Sequence, residues 1–414
     1  MTGKEFLDDF ASLSEIGATG NGGVDRQAGT ADDGRMRAWL TDWLKAHGFS
    51  VDEDEIGNLF GTVELLPGAP TVMVGSHLDS QPLGGKYDGA YGVLAGAHAV
   101  NAVVERIRGT GITPKFNIGV IDWFNEEGSR FKPSMMGSGV LTGLLPLEKA
   151  LGTTDATGVT VATALADMGA GGTGKLGEIA AYAELHIEQG PSLEAAGIKI
   201  GAVDTTWCAY KYEVIVEGAQ SHTGSTPMAA RHDALLGAAH LVVALNELTK
   251  AFPVEQLHTS VGEFYVEPNS PVVVPREVRL LMDMRAASSG ILDEAFPKLQ
   301  RRIAEIEEIA AVSIRIVSSS IWQSGPFLPG GVELVERIAG EHGLTSLRVP
   351  TLAGHDATNM KERVPTLLFF VPSVGGISHS ELEFTTDDDL LSGLSVLEDV
   401  LAHLVQHGFP EGGE

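Results

Sequence analysis

The chain has one cysteine, Cys208, in 414 residues, so no intramolecular disulfide can form, and a reducing, cytoplasmic setting is expected. Positive charge is also scarce. Twenty-eight Lys and Arg face 55 Asp and Glu, a formal net charge of −27. Nucleic acid is held by clustered cations that release its counterions, so this balance argues against a nucleic-acid partner and, on the same ground, an anionic membrane surface. The charge-free stretch Gly89–Val104 contains His98 and Asn101 and is too short to span a bilayer; it reads as a buried helix. The opening residues MTGKEFLDDF lack a basic segment followed by an apolar one, so no secretory signal is expected. No G-x-S-x-G elbow occurs, and Cys208 sits beside Trp207 without an adjacent base, which leaves covalent serine or cysteine catalysis weakly supported. Gly172–Gly177 matches G-x-G-x-x-G but follows a glycine-rich loop instead of a strand, so it is not read as a nucleotide site.

What is present is an ordinary soluble composition. Hydrophobic residues make up 43% and charged residues 20%, enough to bury a core throughout. At roughly 150 residues per domain the length suggests two or three domains. The 51 glycines, without a collagen period, point to a loop-rich α/β enzyme. Apolar strand-like runs at Thr71–Gly75, Phe116–Phe124 and Ile179–Ile187 alternate with helical segments, the pattern of a mainly parallel mixed sheet flanked by helices. Between residues 209 and 321 the pattern changes. Strands at Lys211–Glu217, His258–Val266, Glu277–Arg285 and Val312–Val317 interleave with a helix over Met228–Phe252 and another carrying Leu292, Phe296, Leu299, Ile303 and Ile306. That order, β-α-β-β-α-β, predicts a ferredoxin-like α+β domain inserted into a discontinuous domain made of residues 1–208 and 322–414. A helix over Gly331–Gly343, a buried strand at Thr366–Val371 and a terminal helix over Asp388–His407 resume the first domain, and Gly169–Gly174 reads as a surface loop.

Each strand end carries chemistry-bearing residues. His77 and Asp79 follow the first strand, Glu126 and Glu127 the second, and His186 the third; Asp88 lies in the glycine-rich Gly84–Gly89 and His379 in Gly375–Glu381. Taken singly, each has an ordinary structural reading: a strand-end histidine, a loop glutamate, or, for Asp88, the N-cap of the following helix. In open α/β sheets, however, ligands bind beyond the carboxyl ends of the strands, so the clusters can converge. Three histidines with carboxylates from separated strand ends then point to a two-metal site. Adjacent side chains diverge, so one of Glu126 and Glu127 can ligate a cation while the other faces a bound water.

These residues and their surroundings resemble the M20 metallopeptidase clan, with its zinc-peptidase-like catalytic domain, and within it the carbamoyl-amidohydrolase branch. That branch comprises N-carbamoyl-L-amino-acid hydrolase, β-ureidopropionase and allantoate amidohydrolase. The matching segments run from GSHLDSQPLGGKYDGAYGVLAG at Gly75 through NEEGSRF, SMMGSG, ELHIEQGP, SHTGSTPM, RHDAL, DMR and AGHDA to GGISHSE at Gly375. The resemblance implies that His77, Asp88 and His186 hold one divalent ion and that Asp88, Glu127 and His379 hold a second. The ions are usually zinc, with manganese, cobalt or nickel as alternatives. It implies that Asp79 orients His77, that Glu126 is general base and acid, and that Arg285 in Asp283-Met284-Arg285 takes the carboxylate of an anionic small-molecule amide. Gln189, His222, Gly354 and His355 are implied substrate contacts, and the inserted domain is implied to serve as lid and dimerisation unit of a homodimer. One departure stands out. The related enzymes carry an asparagine thirteen residues before the arginine, where this chain has Val272 (285 − 13); Asn269 is the nearest substitute. A buried polar substrate atom left unpaired costs about 1–3 kcal/mol, so the substrate is expected to differ from a standard carbamoyl amino acid. Allantoate hydrolysis, an aminoacylase or dipeptidase activity, and a metal-loaded scaffold without turnover are the alternatives.

Overall fold

The computed structural model describes residues 3–412. Two compact units divide at Asp204/Thr205 and Pro326/Phe327, a few residues outside the boundaries drawn from the sequence pattern.

In the larger unit four strands run parallel at the centre of the sheet: Asn117–Asp122, Thr71–Ser76, Ile179–Ile187 and Thr366–Val371, in that spatial order. Antiparallel strands extend both sides, Leu59–Val63 and Ser50–Glu53 on one and Ile200–Thr206 on the other. The parallel strands are almost wholly buried, which explains why they read as continuous apolar runs without alternation. Helix Ala90–Thr110 packs on the sheet and against helix Asp387–His407. It begins at Gly89, whose positive φ of 66° makes it the helix cap, so Asp88 is not the N-cap and its carboxylate is turned elsewhere. The helix ends at Gly111 in the left-handed conformation that glycine adopts without strain.

The unit Thr205–Pro326 has a four-stranded antiparallel sheet in the order Ser313–Trp322, Cys208–Glu217, Glu277–Ala286, Leu257–Glu267. Helices Ala234–Leu248 and Ser289–Ala310 pack on one face, giving the β-α-β-β-α-β arrangement. Strand Cys208–Glu217 turns Cys208, Tyr210, Tyr212, Val214 and Val216 into that core, as alternation requires. The helix expected over Met228–Phe252 is shorter than its apolar pattern suggested. Arg231 donates to the carbonyls of Thr223 and Thr226, and Asp233 caps Leu236, so the regular helix starts only at Ala234. Gly169–Gly174 is an irregular loop whose Gly172 and Gly174 amides bond to Asp54 and Glu53.

One buried ion pair links the periphery to the strand ends. Arg37, on helix Ala31–Ala46, donates from Nη1 to Asp122 Oδ2 at 2.5 Å, and the other Asp122 oxygen accepts the Leu78 amide at 2.9 Å. Burial pushes the Asp122 carboxyl up to about 7, with Arg37 opposing that rise. Breaking a buried pair from one side strands the remaining charge. Arg37→Met is therefore expected to lose about 3–5 kcal/mol of stability by denaturant unfolding. The double variant Arg37→Met/Asp122→Leu should recover most of it; an equal loss in both variants would show that the pair does not act as a unit.

Candidate metal centre

The carboxyl ends of the four parallel strands lead into the loops that carry the polar residues. His77 follows Thr71–Ser76 directly, His186 is the penultimate residue of Ile179–Ile187, Glu126 and Glu127 lie four and five residues beyond Asp122, and His379 is in the loop after Thr366–Val371. Among the described residues, two groups of three possible ligands form: His77, Asp88 and His186, and Asp88, Glu127 and His379, with the ligand atoms of each group within 4.8 Å of one another. Asp88 belongs to both. Its Oδ1 is 3.4 Å from Nε2 of His77 and 3.0 Å from Nε2 of His186, while its Oδ2 is 3.3 Å from Nε2 of His379. Glu127 Oε2 completes the second group at 3.3 Å from the same nitrogen of His379.

Backbone carbonyls set the imidazole tautomers. Nδ1 of His77 donates to the Asp79 carbonyl at 2.9 Å and Nδ1 of His186 to the Ile187 carbonyl at 2.8 Å, so both rings present the lone pair of Nε2 to the centre. The Gly89 amide, donating to Nε2 of His186 at 3.2 Å, agrees with that assignment. Gly89 has no room for a side chain, because a Cβ would lie 2.4 Å from the His77 ring. The Asp79 carboxylate lies beside the His77 ring and also braces the neighbouring turn. It is 3.6 Å from Nδ1, and it accepts the amides of Glu126 and Glu127 at 3.1 and 3.3 Å, holding the turn that carries both glutamates. Asn125 starts that turn with φ of 53° and is tied down by bonds from its Nδ2 to the carbonyls of Phe131 and Pro133.

Glu126 and Glu127 diverge. Glu127 is fixed by Gln81, whose amide and Nε2 donate to its carboxylate at 3.2 and 2.9 Å, and it faces His379. Glu126 is buried beside His77, with its Oε2 3.5 Å from Nε2, and falls in neither ligand group. Burial raises the Glu126 carboxyl well above its usual range, with His77 opposing, which suits a group that takes up and returns a proton. Asp88 is driven well below the usual carboxylate range: burial acts to raise it, but the surrounding imidazoles of His186, His379 and His77 prevail. Burial acts to lower His379, but Glu127 and Asp88 carry it up to about 9. Three imidazole nitrogens and the Glu127 carboxylate around a shared, buried carboxylate fit a pair of divalent cations, which would neutralise the buried negative charge.

Gln189 joins the centre, donating from Nε2 to Asp88 Oδ2 at 2.7 Å. The His355 ring packs edge-on to His186 with centroids 4.5 Å apart, and Gly354 leaves space that a Cβ would take from Met135. His222, Arg285 and Asn269 belong instead to the unit Thr205–Pro326. There, exposed His222 accepts the Gly224 and Ser225 amides on Nδ1, Asn269 is exposed, and Val272 is 62% exposed. Arg285 forks onto Asp283 through Nε and Nη2 at 2.9–3.3 Å. The sequence pattern did not reveal Glu383, Gln81 or the buried carboxylates Glu184, which accepts from Ser76 and the Ala357 amide, and Asp356, which accepts from Ser138. Glu383 bonds to the backbone of residues 295 and 296 positions earlier in the chain, a separation at which local pattern carries no signal.

The model of peptidase family M20/M25/M40 matches residues 73–403. A Rhizobium meliloti protein named N-carbamoyl-L-amino-acid amidohydrolase is 35% identical over 396 residues, covering 94% of this chain and 93% of that one. Allantoate amidohydrolase of Bacillus subtilis (strain 168) is 32% identical over 97% of this chain and 98% of its own. The crystal structure of an amidase of the hydantoinase/carbamoylase family from Burkholderia vietnamiensis superposes with a TM-score of 0.92 at 35% identity, covering 98% of each chain.

Because Glu127 and Asp88 carry His379 up to about 9, a cation bound there must displace its proton at neutral pH. Zinc or manganese affinity is expected to increase from pH 6 towards 9, with proton release measurable by calorimetry in buffers of different ionisation enthalpy. At a free metal concentration a hundredfold above Kd, each ion should add about 2.7 kcal/mol of stability, reversed by chelator; a melting temperature indifferent to metal and chelator would count against the centre.

Proposed function

Because this chain belongs to peptidase family M20/M25/M40, we propose that it is a two-metal amidohydrolase that cleaves the C–N amide bond of an N-carbamoyl amino acid, releasing the amino acid, ammonia and carbon dioxide. The observation that carries this reading is the shared Asp88 between two three-ligand groups, with Glu126 beside them and outside both. Two divalent ions, with zinc the first choice, would supply Lewis-acid polarisation of the amide and lower the pKa of a water. The chain's own work is then proton management and positioning. Glu126 takes a proton from the attacking water and returns it to the leaving nitrogen, which an amide requires because an amine anion is a very poor leaving group. His77 and His186, locked by carbonyls, keep Nε2 aimed at the centre, and Asp79 holds the Glu126–Glu127 turn in place. Gln189, which donates to Asp88, and His355, which packs on His186, are assigned together with Gly354 to the amide end of the substrate.

Arg285 and His222 are assigned to recognition of the substrate carboxylate and amide from the unit Thr205–Pro326, which we assign as lid and dimerisation unit of a homodimer. A guanidinium offers a planar fork that matches a carboxylate, and Asp283 holds that plane in place. Val272 at the family's asparagine position directs the substrate search beyond standard carbamoyl amino acids, towards bulkier or N-acyl analogues.

Glu126→Gln should lower kcat by about 10²–10⁴ while both ions remain bound; full turnover in that variant would remove Glu126 from the mechanism. A panel of N-carbamoyl, N-acetyl, N-formyl, allantoate and dipeptide substrates should give one ammonia per amino acid for a carbamoyl substrate and none for an acyl or peptide one. Arg285→Lys is expected to raise KM for carboxylate substrates about tenfold, a loss of about 1.4 kcal/mol, with kcat little changed.

A further inference from the structure

Asp88 sits in an irregular, glycine-rich loop whose amides have no strand partner, yet its carboxylate must face His77 and His186 on one side and His379 on the other. Glu383 supplies what the loop lacks. It is 4% exposed, and its Oε1 accepts the amides of both Tyr87 and Asp88, at 3.0 and 3.1 Å. Its Oε2 accepts the Ser378 hydroxyl at 2.8 Å, and that hydroxyl lies 3.2 Å from Asp88 Oδ2. Glu383 belongs to the same loop as His379, where its amide donates to the Ser380 carbonyl at 3.0 Å. The fit is tight: a Cβ on Gly85 would lie 1.9 Å from Oε1 of Glu383, so glycine at 85 is what admits the carboxylate.

We propose that Glu383 is a positioning residue that sets the spacing between Asp88 and His379, and with it the affinity of the ligand group Asp88, Glu127 and His379 for its cation. The inference rests on the two-metal reading. His77 and His186 are oriented by their own neighbouring carbonyls and do not depend on Glu383, so its removal should weaken one ion more than the other. Partners that orient ligands typically contribute 10–100-fold in metal affinity.

The test is cobalt or zinc titration of the full-length protein, read by calorimetry and bound-metal analysis alongside kcat and KM. Wild type should bind two ions; if it binds none, the two-metal reading fails and this inference with it. Given two ions in wild type, Glu383→Ala should bind one of them about 10–100-fold more weakly, with kcat restored by excess metal and KM little changed. Glu383→Gln keeps an acceptor for both amides and should bind within about threefold of wild type. Gly85→Ala should reproduce the loss, and the double variant should be no worse than either single one, because both act through the same contact. Wild-type affinity in Glu383→Ala, or additive losses in the double variant, would overturn the proposal while leaving the two-metal reading intact. If Glu383→Ala does not fold, Gly85→Ala decides alone, and two ions bound as in wild type would overturn it.

Discussion

A carboxylate held almost out of water among three imidazoles constrains the whole end of the sheet. Burying an unpaired charge costs several kcal/mol, so Asp88 can exist at 4% exposure only with partners on both of its oxygens. His77 and His186 take one side, and His379, Gln189 and Ser378 take the other. The partners come from three separate parts of the chain, at or beyond the ends of Thr71–Ser76, Ile179–Ile187 and Thr366–Val371, so the pairing cannot form until those strands are in register. The same carboxylates that raise the imidazoles favour positive charge at the centre, which divalent cations would supply against the buried negative charge.

Holding such a cluster takes backbone that a relaxed chain would not adopt. Asn125, Gln189 and His379 have positive φ without being glycine, and each lies in or beside the centre. Conformations of this kind cost about 1–3 kcal/mol each and persist only where the surroundings determine them. Here the surroundings are visible: Asn125 is anchored by its own side chain, the Gln189 amide is bonded to Ser373, and the turn after Asn125 is gripped by Asp79. The link from Arg37 through Asp122 to the amide of Leu78 extends this support to a helix far from the chemistry.

A net charge of −27 would repel the proposed anionic substrate at long range. With a Debye length of about 8 Å at physiological salt, most of that charge is screened from the centre. Capture then depends on short-range groups. Of the 55 acidic residues, Asp79, Asp88, Glu126, Glu127 and Glu383 bond to or face the ligand groups directly.

Much of this was legible without coordinates. Apolar runs at Thr71, Phe116 and Ile179 announced buried parallel strands, because a strand covered on both faces has no polar alternation, and the residues that follow each run were already the right chemical types for a cation site. What the sequence could not disclose were partnerships between distant segments. It placed Asp79 against an imidazole, and folding brings that carboxylate to 3.6 Å from His77 while also bonding it to the amides of Glu126 and Glu127; taken singly, Asp88 read as a helix cap, whereas Gly89 takes that position and leaves the carboxylate to the centre. Glu383 carried no signal at all. The sequence determines which side chains are available and on which face of each element they stand, because those depend on local periodicity. Only the tertiary structure decides which donor meets which acceptor, because a hydrogen bond is satisfied by position in space, and nearly three hundred residues separate Glu383 from the two amides it holds.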